Sequence, residues 1–238
     1  MKESVWKVKV YSISDLHLSI NSNKPMNIFG PVWENYLEDI EKSWKEKVTD
    51  NDLVLIAGDI SWAMKFDDAV ADLDYISKLK GYKIIIKGNH DYWWKGISSL
   101  RADLPPKMYA LQNDAMKIDN VVVCGSRGWV VPETTHKTPE DEKIYKRELI
   151  RLELSLKSAA HLREDGDVLI CMMHFPPFNS KLEDNEYTAL MEKYGVNYVV
   201  YGHLHNYDKK QQLVVEKSGV KYFLTSCDLV KNQLVDII

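Results

Sequence analysis

Cysteine is scarce in this chain. Three occur among 238 residues, Cys124, Cys171 and Cys227, odd in number and widely separated, which argues against a disulfide framework. Cys124 and Cys171 sit inside apolar runs, where a thiol behaves as a small hydrophobe. An excess of basic charge is also missing: 31 Lys and Arg face 35 Asp and Glu, for a formal net charge of -4. That gives no support to a protein that follows a nucleic-acid backbone, although it leaves room for a local basic patch. No apolar run approaches the length of a membrane span. The opening Met1-Lys2-Glu3-Ser4 lacks the apolar stretch and cleavage site of an export signal, so a cytoplasmic location is the default expectation. Gly/Ser-rich linkers, low-complexity tracts and internal repeats are absent too. With 45% hydrophobic residues, a chain of this length is expected to bury one sizeable core as a single domain spanning residues 1–238.

What is present is an alternation of strand-like and helix-like segments. Residues 5–14 read as a strand. Trp33, Tyr36, Leu37, Ile40, Trp44 and Val48 recur at helical spacing over residues 33–48. Residues 53–57 form a continuous apolar run, as expected of a strand covered on both faces. Phe66, Val70, Leu73, Ile76 and Leu79 mark a second amphipathic helix, and residues 82–86 a third strand. This order implies parallel pairing through crossovers. Residues 116–119 and 121–125 suggest a hairpin turning at Asp119-Asn120. Thr138 then suits the N-cap of a long helix, with Pro139 at its first position and acidic residues after it. Its buried stripe is Tyr145, Leu149, Leu152, Leu156 and Ala159. Strands are expected over residues 168–173 and 196–201, with a short helix containing residues 190–194 between them. Residues 212–216 and 220–225 suggest a hairpin around Lys217-Ser218-Gly219, and a last strand falls near residues 234–238. The C-terminal third is therefore expected to be antiparallel. The sum is a mixed α/β sheet system with helices outside.

Hard oxygen donors and borderline nitrogen donors gather where these strands end. Asp15-Leu16-His17 follows the first strand, Gly58-Asp59 the second and Gly88-Asn89-His90-Asp91 the third. His174 ends a later strand, and Gly202-His203-Leu204-His205 follows another. Ligands of open α/β sheets bind beyond the carboxyl ends of the strands, so these segments are expected to converge on one rim. In extended chain, residues two apart face the same side. Asp15 and His17 can then bind one ion together, and His203 and His205 can both face the site and serve one ion or adjacent ions. Glycines at 58, 88 and 202 allow sharp turns and close backbone approach. Imidazole, carboxylate and the Asn89 amide oxygen suit Mn, Fe, Co, Ni or Zn. The set is too rich in nitrogen for a dedicated Ca or Mg cage and lacks the thiolates of a structural zinc site.

These blocks, Asp-x-His, Gly-Asp, Gly-Asn-His-Asp, His and Gly-His-x-His, stand in that order across residues 15–205. In this they resemble the calcineurin-like metallophosphoesterases, and no block departs from the family's ligand pattern. The resemblance implies a four-layer αββα sandwich, two mixed sheets face to face flanked by helices. It also implies a centre of two divalent transition-metal ions (Mn, Fe, Zn, Co or Ni). Asp15, His17 and His205 would hold the first ion, Asn89, His174 and His203 the second, and Asp59 would bridge both. His90 would face the substrate phosphate, oriented by Asp91. Two such ions about 3.5–4 Å apart would share a water and acidify it for in-line attack on phosphorus. His90 would stabilise the transition state or protonate the leaving group, work that suits an imidazole near neutral pH. The implied activity is hydrolysis of a phosphomonoester or phosphodiester, with a small phosphorylated substrate as partner.

Each residue also has a plainer reading. A lone His174 at a strand end is usually a satisfied polar residue, Gly-His-Leu-His a turn with two surface histidines, and Gly-Asp a strand-to-loop signal. Their joint order favours the metal reading. His136 and His161 fit no block and read as surface residues. Met26, Phe29, Trp33 and Tyr36 could form an apolar flap over the substrate or pack onto the core, and packing is the favoured reading, as it is for Trp93-Trp94. Pro176-Pro177 would stiffen the loop after His174. The alternative enzyme is a nuclease of the same family, although no capping or coiled-coil part is visible. A non-catalytic scaffold on the same fold would be expected to lose ligands, and this chain keeps them all, His90 included.

Overall fold

The computed structural model describes residues 8–22, 24–131, 138–205 and 212–238. Residues 5–7 of the expected first strand, and His136, lie outside them. In chain order the elements begin β1 (Val10–Ile13), α1 (Tyr36–Lys47), β2 (Leu53–Ile56), α2 (Phe66–Ser77), β3 (Tyr82–Ile85), α3 (Ile97–Asp103) and β4 (Met108–Ala110). They continue β5 (Ala115–Ile118), β6 (Val121–Ser126), α4 (Pro139–Leu162), β7 (Val168–Met173), α5 (Glu186–Lys193), β8 (Tyr198–Tyr201), β9 (Val214–Lys217), β10 (Val220–Leu224) and β11 (Val235–Asp236).

Two mixed sheets result. The first runs β11-β1-β2-β3-β4 and the second β5-β6-β7-β8-β10-β9. Strands β1 to β4 are mutually parallel, as are β6, β7, β8 and β10. Side chains alternate between two cores, as a period of two requires. Leu53, Leu55 and Ala57 pack between the sheets with Val121, Val123, Ile170 and Met172. Val54 and Ile56 point the other way, onto Ile40 and Trp44 of α1 and Leu73 and Ile76 of α2. The second sheet's outer face, Val122, Cys124, Cys171 and Val199, packs on Leu152, Leu156 and Ala159 of α4 and Met191 of α5. The layers are thus α, β, β, α. Continuous apolar runs such as Leu53–Ile56 follow from burial on both faces.

Helix signals act as expected at α4, where the Thr138 side chain accepts from Asp141 N and Pro139 fills the first helical position. Several expectations need correction. The helix expected over residues 33–48 starts at Tyr36. Residues 26–29 and 31–33 are 3-10 turns, and Asn35 takes a left-handed φ of 53° that separates Trp33 from α1. Val70 is exposed, and α2 turns Ala69, Asp72, Leu73 and Ile76 inward. The C-terminal third is not simply antiparallel. The β9–β10 hairpin joins β8 through β10, which runs parallel to it. The short α3 and β4 carry too few residues to show a period. No helix among the described residues is long and apolar enough to cross a membrane.

Candidate metal centre

The carboxyl ends of β1, β2, β3, β7 and β8 meet at one rim, and every residue singled out from the sequence blocks lies there. Backbone bonds stitch the loops together. Asp15 N donates to Gly58 O at 3.0 Å, His17 N to Asp59 O at 3.0 Å, and Gly202 N to His174 O at 3.1 Å. The local geometry is not the extended one expected. Asp15, His17, Asp59 and His203 have φ of 59°, 47°, 50° and 71°, so tight left-handed turns rather than strand alternation aim their side chains. His161, by contrast, sits exposed in the last turn of α4.

The donor atoms fall into two neighbouring sets. Asp15, His17 and His205 each place a donor within 4.8 Å of the other two, and so do Asp15, Asp59 and His174. His17 Nε2 faces His205 Nε2 at 3.4 Å, and His205 Nε2 lies 3.7 Å from Asp15 Oδ1. His174 Nδ1 is held on the Ala57 carbonyl at 3.0 Å. Its Nε2 is left facing Asn89 Oδ1 at 2.7 Å and Asp59 Oδ2 at 3.5 Å. His203 Nδ1 reaches the same Asn89 oxygen at 2.9 Å. Asp59 Oδ2 is also 3.9 Å from His17 Nε2, so this carboxylate touches both sets.

The electrostatics are those of a deeply buried acid–imidazole cluster. Asp15, Asp59, Asp91 and His174 are all buried. Burial raises the Asp59 carboxyl, but the His174 imidazole, and then His17, more than offset this and hold it well below the usual range. Burial also opposes charge on His174, yet Asp59 and Asp15 push it up to about 9. Asp15 is raised by burial, against the pull of His174 and His205. His17 and His203 are pushed down by burial to about 3 and about 4. The carboxylates therefore favour a proton on His174, and Asp228 and Asp15 likewise raise His205 against its burial.

Asp91 sits beneath this layer. Burial, and then Asp59, push it up to about 6. Its Oδ1 accepts from Ile60 N at 2.9 Å, Ser61 N at 3.2 Å and Trp93 Nε1 at 2.9 Å, and its Oδ2 from Gly88 N at 2.8 Å. These bonds fix the loop that carries His90; they do not engage the His90 ring. His90 N donates to Asp59 Oδ1 at 2.8 Å, while its ring lies half-buried at the mouth of a cleft of about 230 Å³. His17, Met26, Phe29, Trp33, Trp62, His90 and His205 line that cleft. Met26 and Trp33 are buried and Phe29 is exposed, so this segment both packs and forms a wall. Trp93 and Trp94 belong to the core.

Two contributors escaped the sequence reading. The Trp62 ring stacks on His17 with centroids 4.6 Å apart and planes 18° apart, and lies 4.6 Å from His90. Asp228 Oδ1 sits 3.0 Å from His205 Nδ1, the carboxylate–imidazole arrangement that orients a metal-binding histidine. Neither belongs to a spaced motif; only the fold brings them in.

This donor set fits divalent transition ions. Two imidazole nitrogens 3.4 Å apart head to head, two buried carboxylates and a shared amide oxygen are mutually costly unless a cation or proton lies among them. The model of the calcineurin-like phosphoesterase family matches residues 8–207. No curated protein matches the chain. Among solved structures, TT1561 of Thermus thermophilus is similar with a TM-score of 0.61 at 14% identity, covering 96% of this chain and 97% of that one. The protein of unknown function AQ665 from Aquifex aeolicus is similar with a TM-score of 0.51 at 14% identity, covering 96% and 95%. At such identities the likeness is one of fold.

Proposed function

The chain belongs to the calcineurin-like phosphoesterase family, and on that premise we propose that it hydrolyses a small phosphomonoester or phosphodiester using two divalent transition-metal ions. The family is metal-dependent, and the observation that carries the reading here is the position of Asp59. Its Oδ2 lies 3.5 Å from His174 Nε2 in its own donor set and 3.9 Å from His17 Nε2 in the other, and Asp15 belongs to both sets. In this reading Asp15, His17 and His205 hold one ion, and Asn89, His174 and His203 the other. Asp59 is shared. The ions are Mn, Fe, Zn, Co or Ni, and the whole chain works as one cytoplasmic domain.

When bound, the metal pair supplies positive charge to the phosphoryl oxygens and acidifies water. The chain's own residues supply the rest. Asp228 holds His205, and the Ala57 carbonyl holds His174, so each ring presents Nε2 to the centre. Asn89 gives its amide oxygen, while its neighbour His90 uses only its backbone N–H to brace Asp59. The His90 ring is therefore available to hydrogen-bond the phosphoryl group or hand a proton to the leaving oxygen. Asp91 keeps the loop under His90 from moving. The walls made by Trp33, Trp62 and Met26 exclude water beside the organic part of the substrate.

The test is a panel of phosphomonoesters and phosphodiesters assayed with Mn, Fe, Co, Ni, Zn and Mg, with metal content measured on the same samples. Hydrolysis that tracks bound metal supports the reading. Protein that takes up no metal after reconstitution and hydrolyses nothing in the panel would sink it.

A further inference from the structure

A second pocket, of about 240 Å³, opens at the same rim between β3, β4, β6 and α4. Its charged lining is Lys87, Arg127, Arg147, Glu148 and Arg151. Lys87 directly precedes Gly88-Asn89. The Arg127 carbonyl accepts from His174 N at 3.1 Å and Phe175 N at 3.0 Å. The pocket thus borders the Asn89 loop through Lys87, and Arg127 of its lining is bonded to the His174 loop.

Four cations line the pocket with Glu148 as the one carboxylate of the lining, while Asp91 acts on Lys87 from beneath it. Glu148 is buried, and its Oε1 lies 2.8 Å from Arg151 Nη1, 3.5 Å from Arg147 Nε and 3.7 Å from Arg127 Nη2. Its Oε2 accepts from Ser126 Oγ at 3.0 Å. Even with Asp91 acting on Lys87, two carboxylates do not balance three guanidiniums and an ammonium, so the lining keeps a positive excess in a chain whose formal net charge is -4. Arg127 Nε is moreover buried with no hydrogen-bond partner, and buried donors are rarely left unmade. A cavity with spare guanidinium donors and uncompensated charge matches a tetrahedral oxyanion, which guanidinium groups bind through paired, charge-assisted hydrogen bonds.

We propose that this pocket binds a phosphoryl group other than the one being cleaved, with Arg127, Arg147, Arg151 and Lys87 as its donors. The pocket adjoins the Asn89 and His174 loops, so the source that fits best is a second phosphate on the substrate; only that choice of source rests on the phosphoesterase reading. Free phosphate acting on the enzyme from this pocket is the other source of the same chemistry. The substrate class narrows accordingly to small molecules carrying two phosphoryl groups, one at the metal centre and one here.

The experiment replaces Arg147 and Arg151, whose side chains are 49% and 38% exposed, so that no core cavity is opened. Arg147→Gln/Arg151→Gln, and Arg147→Gln alone to keep the Arg151–Glu148 pair, are compared with wild type. Calorimetry of inorganic diphosphate binding to chelator-treated protein at low salt is the first readout. The double variant is expected to bind about tenfold more weakly or worse, with a flatter salt dependence. Equal affinities in all three proteins would overturn the proposal. The second readout is kcat/KM. If the substrate supplies the phosphate, the double variant loses activity on a phosphodiester bearing an extra terminal phosphate but not on bis(4-nitrophenyl) phosphate. If free phosphate is the source, added phosphate alters wild-type turnover of the aryl diester and leaves the variant unaffected. Weakened diphosphate binding without hydrolysis of any substrate would uphold the pocket and overturn the phosphoesterase reading instead.

Discussion

Replacing Gly88 with alanine tests whether the metal rim is held by close packing of loops. The residue does not have a positive φ, so alanine's backbone is not strained there. The added methyl would collide with Oδ1 and the backbone N of Asp59 and come within 2.8 Å of its Cγ. Asp59 has little room to retreat. It is buried, its carboxylate accepts from His90 N at 2.8 Å, and its own φ is 50°. Gly88 is pinned from the other side, its N–H on Asp91 Oδ2 at 2.8 Å. Relief therefore requires the Asp59 backbone to shift as well as its carboxylate, with loss of the His90 bond. Overpacking costs about 1–3 kcal/mol and a lost bond to a charged group about 1.5–3 kcal/mol, together about 2.5–6 kcal/mol. At about 2–4 °C per kcal/mol for a chain of this size, Tm should fall by about 5–24 °C. Thermal unfolding of chelator-treated protein measures this, and metal analysis after Mn reconstitution should show a deficit beside it. Gly96→Ala is the control: nothing lies within 4 Å of its added methyl, and as an N-cap change it should cost about 1 kcal/mol or less. If Gly88→Ala melted within about 2 °C of wild type and bound its full metal complement, the close-packed rim would be the wrong account.

His90→Ala should keep fold and metal content but lose about 10²–10⁴-fold in turnover on an alkyl phosphodiester and less on an aryl one; equal losses would argue against proton donation to the leaving group. Trp62→Ala should raise KM about two- to twelvefold for an aryl phosphodiester, the worth of one aromatic contact, while Trp62→Phe restores it; an unchanged KM would mean that the cleft does not hold the substrate. Metal affinity should rise with pH until about 9, because the proton that Asp59 and Asp15 hold on His174, despite its burial, must leave first; titration calorimetry in buffers of different ionisation enthalpy would reveal that proton, and its absence would refute the charge balance. Lys83 is buried in β3, its amine donating to Ser77 O and Leu79 O, and burial followed by Lys107 lowers it from 10.5 to about 8. Because the folded state binds this proton less tightly than the unfolded chain, the group's contribution to stability should rise between pH 8 and 10.5; Lys83→Met should raise the urea midpoint at pH 7 and lose that advantage by pH 10, and a pH-independent difference would contradict the assignment.

The order of the candidate ligand blocks was legible because each sits where an apolar run stops, and such runs are visible without any structure. Their neighbours Asp228 and Trp62 were not. Asp228 reaches His205 from a turn after β10, and Trp62 covers His17 from the loop after β2. Both are isolated in sequence, and only tertiary contact gives them a role. The same holds for Asp72, whose carboxylate accepts from Ile20 N at 2.8 Å and from the Ser61 hydroxyl. It ties the loops after β1 and β2 to a helix that its spacing marked only as amphipathic. The parallel β8–β10 pair was hidden for a related reason: a hairpin signal between β9 and β10 says nothing about which of its strands meets the rest of the sheet.

Backbone strain is concentrated in the loops of this rim, though turns elsewhere in the chain also carry left-handed residues. Left-handed φ in residues other than glycine is uncommon and costs free energy, yet four of the proposed ligands, Asp15, His17, Asp59 and His203, adopt it. Nothing in a sheet requires such turns at the ends of three separate strands. They persist because neighbouring backbone bonds overdetermine them: Asp15 N on Gly58 O, His17 N on Asp59 O, and His203 N on the Asp15 carboxylate at 3.0 and 3.1 Å. Glycines at 58, 88 and 202 stand where a methyl would press on His174, Asp59 and Asp15 in turn. Strained residues, glycines that make room for them and buried carboxylates packed against imidazoles all cost stability. They are intelligible together if the loops are built to hold oxygen and nitrogen donors in place before any cation arrives.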